Sequence, residues 1–504
     1  MVGRRKGDTD LLTAVEQKRL QVSKSTGANK KSQLGQFLTP ATTAAFMANL
    51  FPDGEGACHL LDAGAGIGSL SAAFLERWRD GGFQFQQVVV DAFELDDVLT
   101  VHLAQTLEKY NQQNDFTGNI HEIDFIHAAV DSLLGSLFAK PLFRYTHAIL
   151  NPPYKKINSH SAHRLALRRV GIETVNLYSA FVALAVALAA PGGQIVAIIP
   201  RSFCNGPYYR PFRDFLLERA AIHHLHLFES RSTAFKDDEV LQENIIIRLE
   251  RGGQQGPVKV STSTDDRFAD LAILEHPFEQ IVFPEDSGRF IHVPTTPAQD
   301  AIELSPAIHY TLEDLGIKVS TGPVVDFCLK QHLRDMPQPG SVPLLYPVHL
   351  SSSGTTWPIE GMKKPNAIEH SADTEKWLYL NDFYCVVRRF SSKEEKRRIV
   401  ASLIEPTAFG DAPMLGFENH LNVFHDKKRG LPESLARGLV VFLNSTVVDQ
   451  SFRRFSGHTQ VNATDLKRMK YPSRKVLCQL GEWAATQGAL TQEQIDAKIE
   501  TITL

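Results

Sequence analysis

The chain predicts an α/β fold in which a mostly parallel, doubly wound sheet with one reversed edge strand precedes a mixed C-terminal region. Three observations predict it. Short apolar runs that end near Ala63, Glu94, Ile123, Leu150 and Pro200 alternate with helical stretches, the spacing of strand–helix–strand units. Two further apolar runs, 222–228 and 243–249, have no helical pattern between them, which makes them antiparallel neighbours. From about Arg251 the pattern breaks into short apolar pieces separated by Gly, Pro and Ser. At 504 residues and 43% hydrophobic content the chain is long enough for two or three packed domains. The expected divisions are a basic arm over 1–33, the sheet domain over 34–255, a reading region over 256–475 and a helical tail over 476–504.

The first element is a helix expected over 11–22, within a basic stretch that serves either as a solvated tail or as a phosphate-contacting arm. Thr39 and Pro40 then open a second helix, with Thr39 as its cap and Pro40 in the first position. The stretch 58–70, CHLLDAGAGIGSL, reads as a buried strand, a glycine-rich turn and a helix start. Asp62 precedes the turn, and Gly64, Gly66 and Gly68 let the backbone pass close to a ligand. The second strand closes on Glu94, whose carboxylate can accept both hydroxyls of a ribose, with Asp91 and Asp96 as competing acids. The third strand closes on Asp124 and Phe125.

The fourth strand, Ala148-Ile149-Leu150, stops at Asn151-Pro152-Pro153-Tyr154, because neither proline donates to a ladder. Ligands of open parallel sheets bind outside the carboxyl ends of the strands. There the Asn151 amide oxygen and the Pro152 carbonyl can accept both hydrogens of a planar exocyclic amine. Such an amine is a poor nucleophile until its lone pair is pulled out of conjugation. Tyr154 offers a flat face on which a ring can stack.

The order of these pieces resembles that of the DNA amino-methyltransferases, in particular their gamma class, the adenine-N6 group that includes the TaqI- and PstI-type modification methylases. The resemblance covers most of residues 34–475. It implies a Rossmann-like methyltransferase sheet over 34–255, followed by a mixed target-recognition domain that binds DNA. It also implies S-adenosylmethionine as cofactor, with Thr39 and Pro40 at its methionine part and Asp62, Gly64 and Gly66 around its centre. Glu94 would then take the ribose hydroxyls, Asp124 the adenine amine and Phe125 the adenine ring, with Asn151 where cofactor and substrate meet. Asn151, Pro152, Pro153 and Tyr154 are the implied catalytic residues. Tyr154 and Phe235 are candidates for stacking on a target base turned out of the duplex. Tyr178 and Phe181 either line the cofactor pocket or fill the core.

In the second half, basic runs recur between aromatic residues. Arg388, Arg389, Lys393, Arg397, Lys428, Arg453 and Arg454 are the candidates for a DNA-backbone surface, interleaved with Phe390, Phe424, Phe452 and Phe455. Net charge is −4, so any such surface must be local. The segments 319–326, 389–401 and 456–466 resemble the recognition halves of PstI-type methylases.

The most apolar stretch, 180–190, is too short to span a bilayer, and the basic residues 1–7 have no apolar core behind them to make a signal peptide. The five cysteines lie far apart without a CxxC pair, which argues for a cytoplasmic protein without a metal site. His160 and His163 are expected as exposed loop side chains. No nuclease constellation is recognisable, so cleavage is expected from a separate cognate restriction endonuclease, and the methylase itself is expected to be a monomer or weak dimer. Three rivals stay open. A protein glutamine-N5 methyltransferase shares the tetrapeptide but lacks a large second half. Cytosine-N4 transfer is chemically close but more often has serine at the first position. A non-enzymatic DNA-binding module would not need Asp62, Glu94 and Asp124 at successive strand ends.

Overall fold

The computed structural model describes residues 11–25, 38–111, 115–135, 144–228, 243–284, 286, 288–294, 307–351, 354–391, 395–455 and 460–503. Two compact units divide the chain between Pro297 and Ala298. Among the described residues no helix is long and apolar enough to cross a membrane.

The first unit is built on nine strands: β1 (Glu55–Ala63), β2 (Gln84–Phe93), β3 (Phe116–His121), β4 (Tyr145–Leu150), β5 (Ala189–Pro200), β6 (Ala220–Phe228), β7 (Asn244–Arg251), β8 (Val258–Ser263) and β9 (Ala272–His276). Their spatial order is β3-β2-β1-β4-β5-β7-β6-β8-β9. β1 to β5 run parallel, and β7 is antiparallel to both β5 and β6. The reversed strand therefore lies inside the sheet, between β5 and β6, while the rim strand β9 is antiparallel to β8. The expected boundary at 255 is corrected by the same pairing. The Gly- and Gln-rich stretch 252–257, which resembles a linker in sequence, is the turn that leads into β8, and the unit runs on to Pro297.

Among the described residues, the helices of eight or more residues in this unit are α1 (Leu11–Ser25), α2 (Ala41–Asn49), α3 (Ser69–Arg79), α4 (Asp97–Glu108), α5 (Phe125–Leu133), α6 (Ala162–Arg169), α7 (Leu177–Leu188) and α8 (Arg210–Arg219). Strands buried on both faces read as continuous apolar runs, and side-chain alternation sorts them into two cores. Ile149, Val196, Ile198 and Ile246 face one side with Ala44 and Met47 of α2. Ala148, Leu150, Ile195, Ala197 and Ile245 face the other with α7. α1 decides between the two readings of the N-terminal stretch in favour of neither. Val15 and Val22 pack with Ile67, Ala72 and Leu99. Buried Arg19 makes a two-pronged bond to Glu16 at 2.9 and 2.7 Å, and Glu16 accepts from the Ala41 amide at 2.9 Å.

The second unit holds a four-stranded sheet, in the order Lys318–Thr321, Leu421–His425, Tyr384–Arg388 and Ala401–Ile404, and a five-stranded sheet centred on Ser341–Leu345. Its helical core corrects the expected tail. Helices Glu433–Leu443 and Arg474–Ala485 touch backbone to backbone: a Cβ on Gly438 would lie 1.8 Å from the Leu477 carbonyl oxygen, and one on Gly481 1.7 Å from that of Ser434. Leu477, Leu480 and Ile499 are buried in the same core, so the C-terminal residues complete it.

Candidate active site

The site forms where the parallel strands end. After β1 the chain turns through Gly64 and Gly66 at φ of 79° and 58°, a region that side-chain-bearing residues rarely adopt. The Gly64 and Ala65 amides both donate to the Phe93 carbonyl at 2.9 Å, locking the turn to the end of β2. The next amide, that of Gly66, donates to Glu94 Oε2 at 2.9 Å, and Leu95 and Asp96 amides donate to Oε1 at 2.8 and 2.9 Å. Burial raises the Glu94 pKa, against these three amides that lower it. Three residues earlier, Asp91 is spent on the fold. It accepts from Asn119 at 2.9 Å, Tyr145 at 2.9 Å and His121 at 3.1 Å. Its burial opposes ionisation, but those hydrogen bonds outweigh it and hold the carboxyl below its usual range. Asp96 caps α4 through the Val98 and Leu99 amides.

Asp124 closes the third strand and caps α5, its Oδ1 accepting from the His127 amide at 3.0 Å. Its Oδ2 pairs with His163 Nε2 at 2.8 Å. His163, expected as an exposed loop residue, thus reaches back from α6 to this wall, because Ser161 caps a helix where a loop was expected. Ligand atoms of Asp124, His127 and His163 lie within 4.8 Å of one another, the one cluster of metal-binding spacing among the described residues. Both Asp124 oxygens already accept hydrogen bonds there. Basic α6 is likewise engaged, with Arg164 and Arg168 both paired to Glu173.

These strand ends border a cleft lined by Gly64, Gly66, Glu94, Asp124, Phe125, Asn151 and Pro153, together with Leu38, Phe93, Leu95, Leu99, Ile123 and Phe181. Leu95 and Ile123 were missed in the sequence, yet each follows or precedes a strand-end acid, and they are 58% and 52% exposed, two aliphatic flats beside the acids Glu94 and Asp124. Phe181 lines the cleft, whereas Tyr178 is buried behind Tyr154. Asp62 does not reach the cleft. It is fully buried, accepts from Ser71 Oγ at 2.6 Å, and burial raises its carboxyl from 3.8 to about 7 against the Ser71 hydrogen bonds. The glycine cradle, the backbone-held carboxylate and the aliphatic flats fit S-adenosylmethionine.

Asn151 stands at the β4 end of the cleft with its amide fixed at both atoms. Nδ2 donates to Thr39 Oγ1 at 2.9 Å, and Oδ1 accepts from Tyr154 Oη at 3.1 Å. Thr39 therefore acts on Asn151, and Pro40 leads into α2 beside it. The Tyr154 hydroxyl has a second acceptor, the Ile198 carbonyl at 3.2 Å, and burial raises its pKa well above the usual phenol value. Buried Pro152 keeps its carbonyl without a donor. Phe235 lies outside the described residues.

The basic residues of the second unit are placed differently. Arg397 donates to Gln492 Oε1 at 2.8 Å, the Ser445 carbonyl at 2.7 Å and the Ile399 carbonyl at 3.4 Å, so it braces the helical core. Lys428 bonds the Lys376 carbonyl, and Arg453 binds Asp449 at 2.7 Å and the Glu395 carbonyl at 2.9 Å. Arg388 pairs with Glu395. The expected basic surface is thereby corrected in part: internal carbonyls and acids occupy these four. Arg389 bonds Gln460 Oε1 at 3.1 Å and the Asn419 carbonyl at 3.2 Å beside Phe390, which is exposed. Lys393 and the Arg454 side chain lie outside the described residues.

Residues 94–235 match the Eco57I restriction-modification methylase family. The type II methyltransferase M.BsuBI of Bacillus subtilis is 52% identical over 500 residues, spanning 98% of this chain and 99% of that protein. The type II methyltransferase M.PstI of Providencia stuartii is 43% identical over 454 residues, spanning 89% and 88%. Among solved structures, that of a DrdV–DNA complex matches 94% of this chain and 58% of that chain at 12% identity and a TM-score of 0.49.

Proposed function

The chain belongs to the type II methyltransferases of restriction–modification systems, and from that premise we propose that it methylates the N6 amine of an adenine turned out of duplex DNA. The observation that carries this reading is the amide of Asn151, which lines the cleft and is held at both of its polar atoms. S-Adenosylmethionine, bound in the cleft, supplies an electrophilic methyl group on a sulfonium. Gly64 and Gly66 would give its centre room, Glu94 would accept its ribose hydroxyls, and Leu95, Ile123 and Phe125 would cover its adenine beside Asp124.

Asn151 Oδ1 and the Pro152 carbonyl accept the two hydrogens of the target amine, which turns its lone pair out of conjugation toward the methyl group. Thr39 keeps the amide from flipping, because its hydroxyl takes the Nδ2 hydrogen. Asn151 Oδ1 has two lone pairs, so it keeps the Tyr154 hydrogen bond while it accepts from the amine, and the Tyr154 ring supports the base. Neither Asn151 nor a buried tyrosine is a base strong enough to hold the released proton, which leaves to solvent. Extraction of the base costs a few kcal/mol, supplied by binding.

The second unit reads the DNA sequence, with Arg389 and Phe390 as its contact candidates, and a separate cognate endonuclease cleaves unprotected sites. Methyl-labelled S-adenosylmethionine, plasmid DNA, digestion to nucleosides and chromatography test the reaction. N6-methyladenine supports the reading, and N4-methylcytosine or labelled protein without labelled DNA contradicts it.

A further inference from the structure

Asn244 opens β7 at the same end of the sheet as Asn151, and both atoms of its side-chain amide are buried without a hydrogen-bond partner although the residue is only 3% exposed. Such an amide loses its water without a compensating hydrogen bond, which destabilises the fold. The next three positions are isoleucines, so an aliphatic side chain fits this strand without that cost. A polar group kept at the expense of stability, at the end of the sheet where the site lies, fits a ligand contact.

Its direction follows from strand alternation. Ile149 of β4, Ile198 of β5 and Ile246 of β7 lie in one core, so Asn151 and Asn244, each two residues from one of these, project to that same face. The bond from Asn151 to Thr39, just ahead of α2, agrees, since Ala44 and Met47 of α2 cover this face. Thr43 of α2, also fully buried, has its hydroxyl unpartnered. β5 separates the two asparagines: Leu150 pairs with Ala197, and Pro200 with Asn244. Asn244 is thus two strands over and about two residues further toward the open end, a separation on the order of 12 Å. A purine hydrogen-bonded at both edges spans such a distance. The position is rigid as well. The Arg201 amide donates to the Glu243 carbonyl at 2.8 Å, and the buried Arg201–Glu243 pair closes at 2.6 Å, clamping β5 to the start of β7.

We infer that Asn244 is a base-binding residue whose amide N–H donates to a ring nitrogen of the target adenine while Asn151 holds its amine. The inference rests on the adenine reading above. Adenine offers only acceptors on its ring, which makes the donor half of the amide the part that counts.

Asn244→Ala and Asn244→Asp, assayed by steady-state methyl transfer to plasmid DNA, cofactor titration and thermal denaturation, test it. The expected result is a fall in kcat/KM for DNA of about 10- to 100-fold. The aspartate variant is expected to be the worse, cofactor affinity to stay within about twofold, and Tm for the alanine variant to be equal to or above that of the parent. A purely structural asparagine moves Tm down and takes cofactor binding with it, which would overturn the assignment, as would parental kinetics in both variants. A parent chain that labels no adenine overturns the adenine reading and this inference together. An active parent with unaffected variants overturns this inference alone.

Discussion

In the first unit, residues far apart in sequence meet because each closes a strand of one parallel sheet. Glu94, Asp124 and Asn151 follow β2, β3 and β4, and all line one cleft. In the second unit, runs of arginine and lysine are equally conspicuous in sequence, yet Arg397 and Arg453 turn inward to carbonyls and acids of their own fold, and Lys428 is held at the surface by a carbonyl. The difference teaches that a strand-end motif carries its own position, since topology sends every parallel strand's carboxyl end to the same edge. A charge run carries no such address.

The sharpest way to break this comparison is through glycine. Gly64 and Gly66 are needed for backbone conformation and ligand approach, whereas Gly438 is needed because two helices share its space. Gly438→Leu places its side chain on the Leu477 carbonyl and is expected to cost more than about 4 kcal/mol, read as loss of soluble folded protein. Gly64→Ala meets nothing nearer than 3.7 Å. It is expected to leave a folded chain with weakened cofactor binding. The reverse ranking would show that the glycine turn is structural and the helix contact is not.

Tyr154→Phe removes one of the two fixing bonds on Asn151. It is expected to lower kcat about tenfold with cofactor affinity unchanged, measured by saturation kinetics. Arg397→Ala is expected to lose about 1–3 kcal/mol in denaturant unfolding while leaving the salt dependence of DNA binding at the parent's slope. A shallower slope would mark Arg397 as a phosphate contact.

A pH-dependent effect belongs to Asp62. Because burial raises its carboxyl from 3.8 to about 7, the folded chain keeps a proton that the unfolded chain releases between these values. Its contribution to stability is then full below about pH 4 and is lost as pH rises to 7. Asp62→Asn removes that slope. The parent's Tm relative to the variant's is expected to fall from pH 4 to 7 and to level off above, and a flat difference contradicts it.

The sheet was legible because its strands are long apolar runs ended by turn chemistry, and Glu94 could be preferred over Asp91 by its place at the strand end. What escaped was set by packing. The continuation into β8 and β9 looks in sequence like a change of domain because its strands are short and half polar. Asp62 reads as a cofactor ligand by position alone, but burial turns it toward Ser71. Leu95 and Ile123 have no polar chemistry to announce them. Helix formation from Ser161 brings His163 to Asp124, a contact between segments that local pattern does not encode.

The most direct test of the division of labour in the cleft is to measure cofactor dissociation constants and saturated methyl-transfer rates side by side for Glu94→Gln and Asn151→Ala. For the first, cofactor binding is expected to weaken by about tenfold or more with a largely retained saturated rate. For the second, the rate is expected to fall by about a thousandfold or more with cofactor binding nearly unchanged. Retained activity in Asn151→Ala, or cofactor binding that is lost there and intact in Glu94→Gln, would contradict this division.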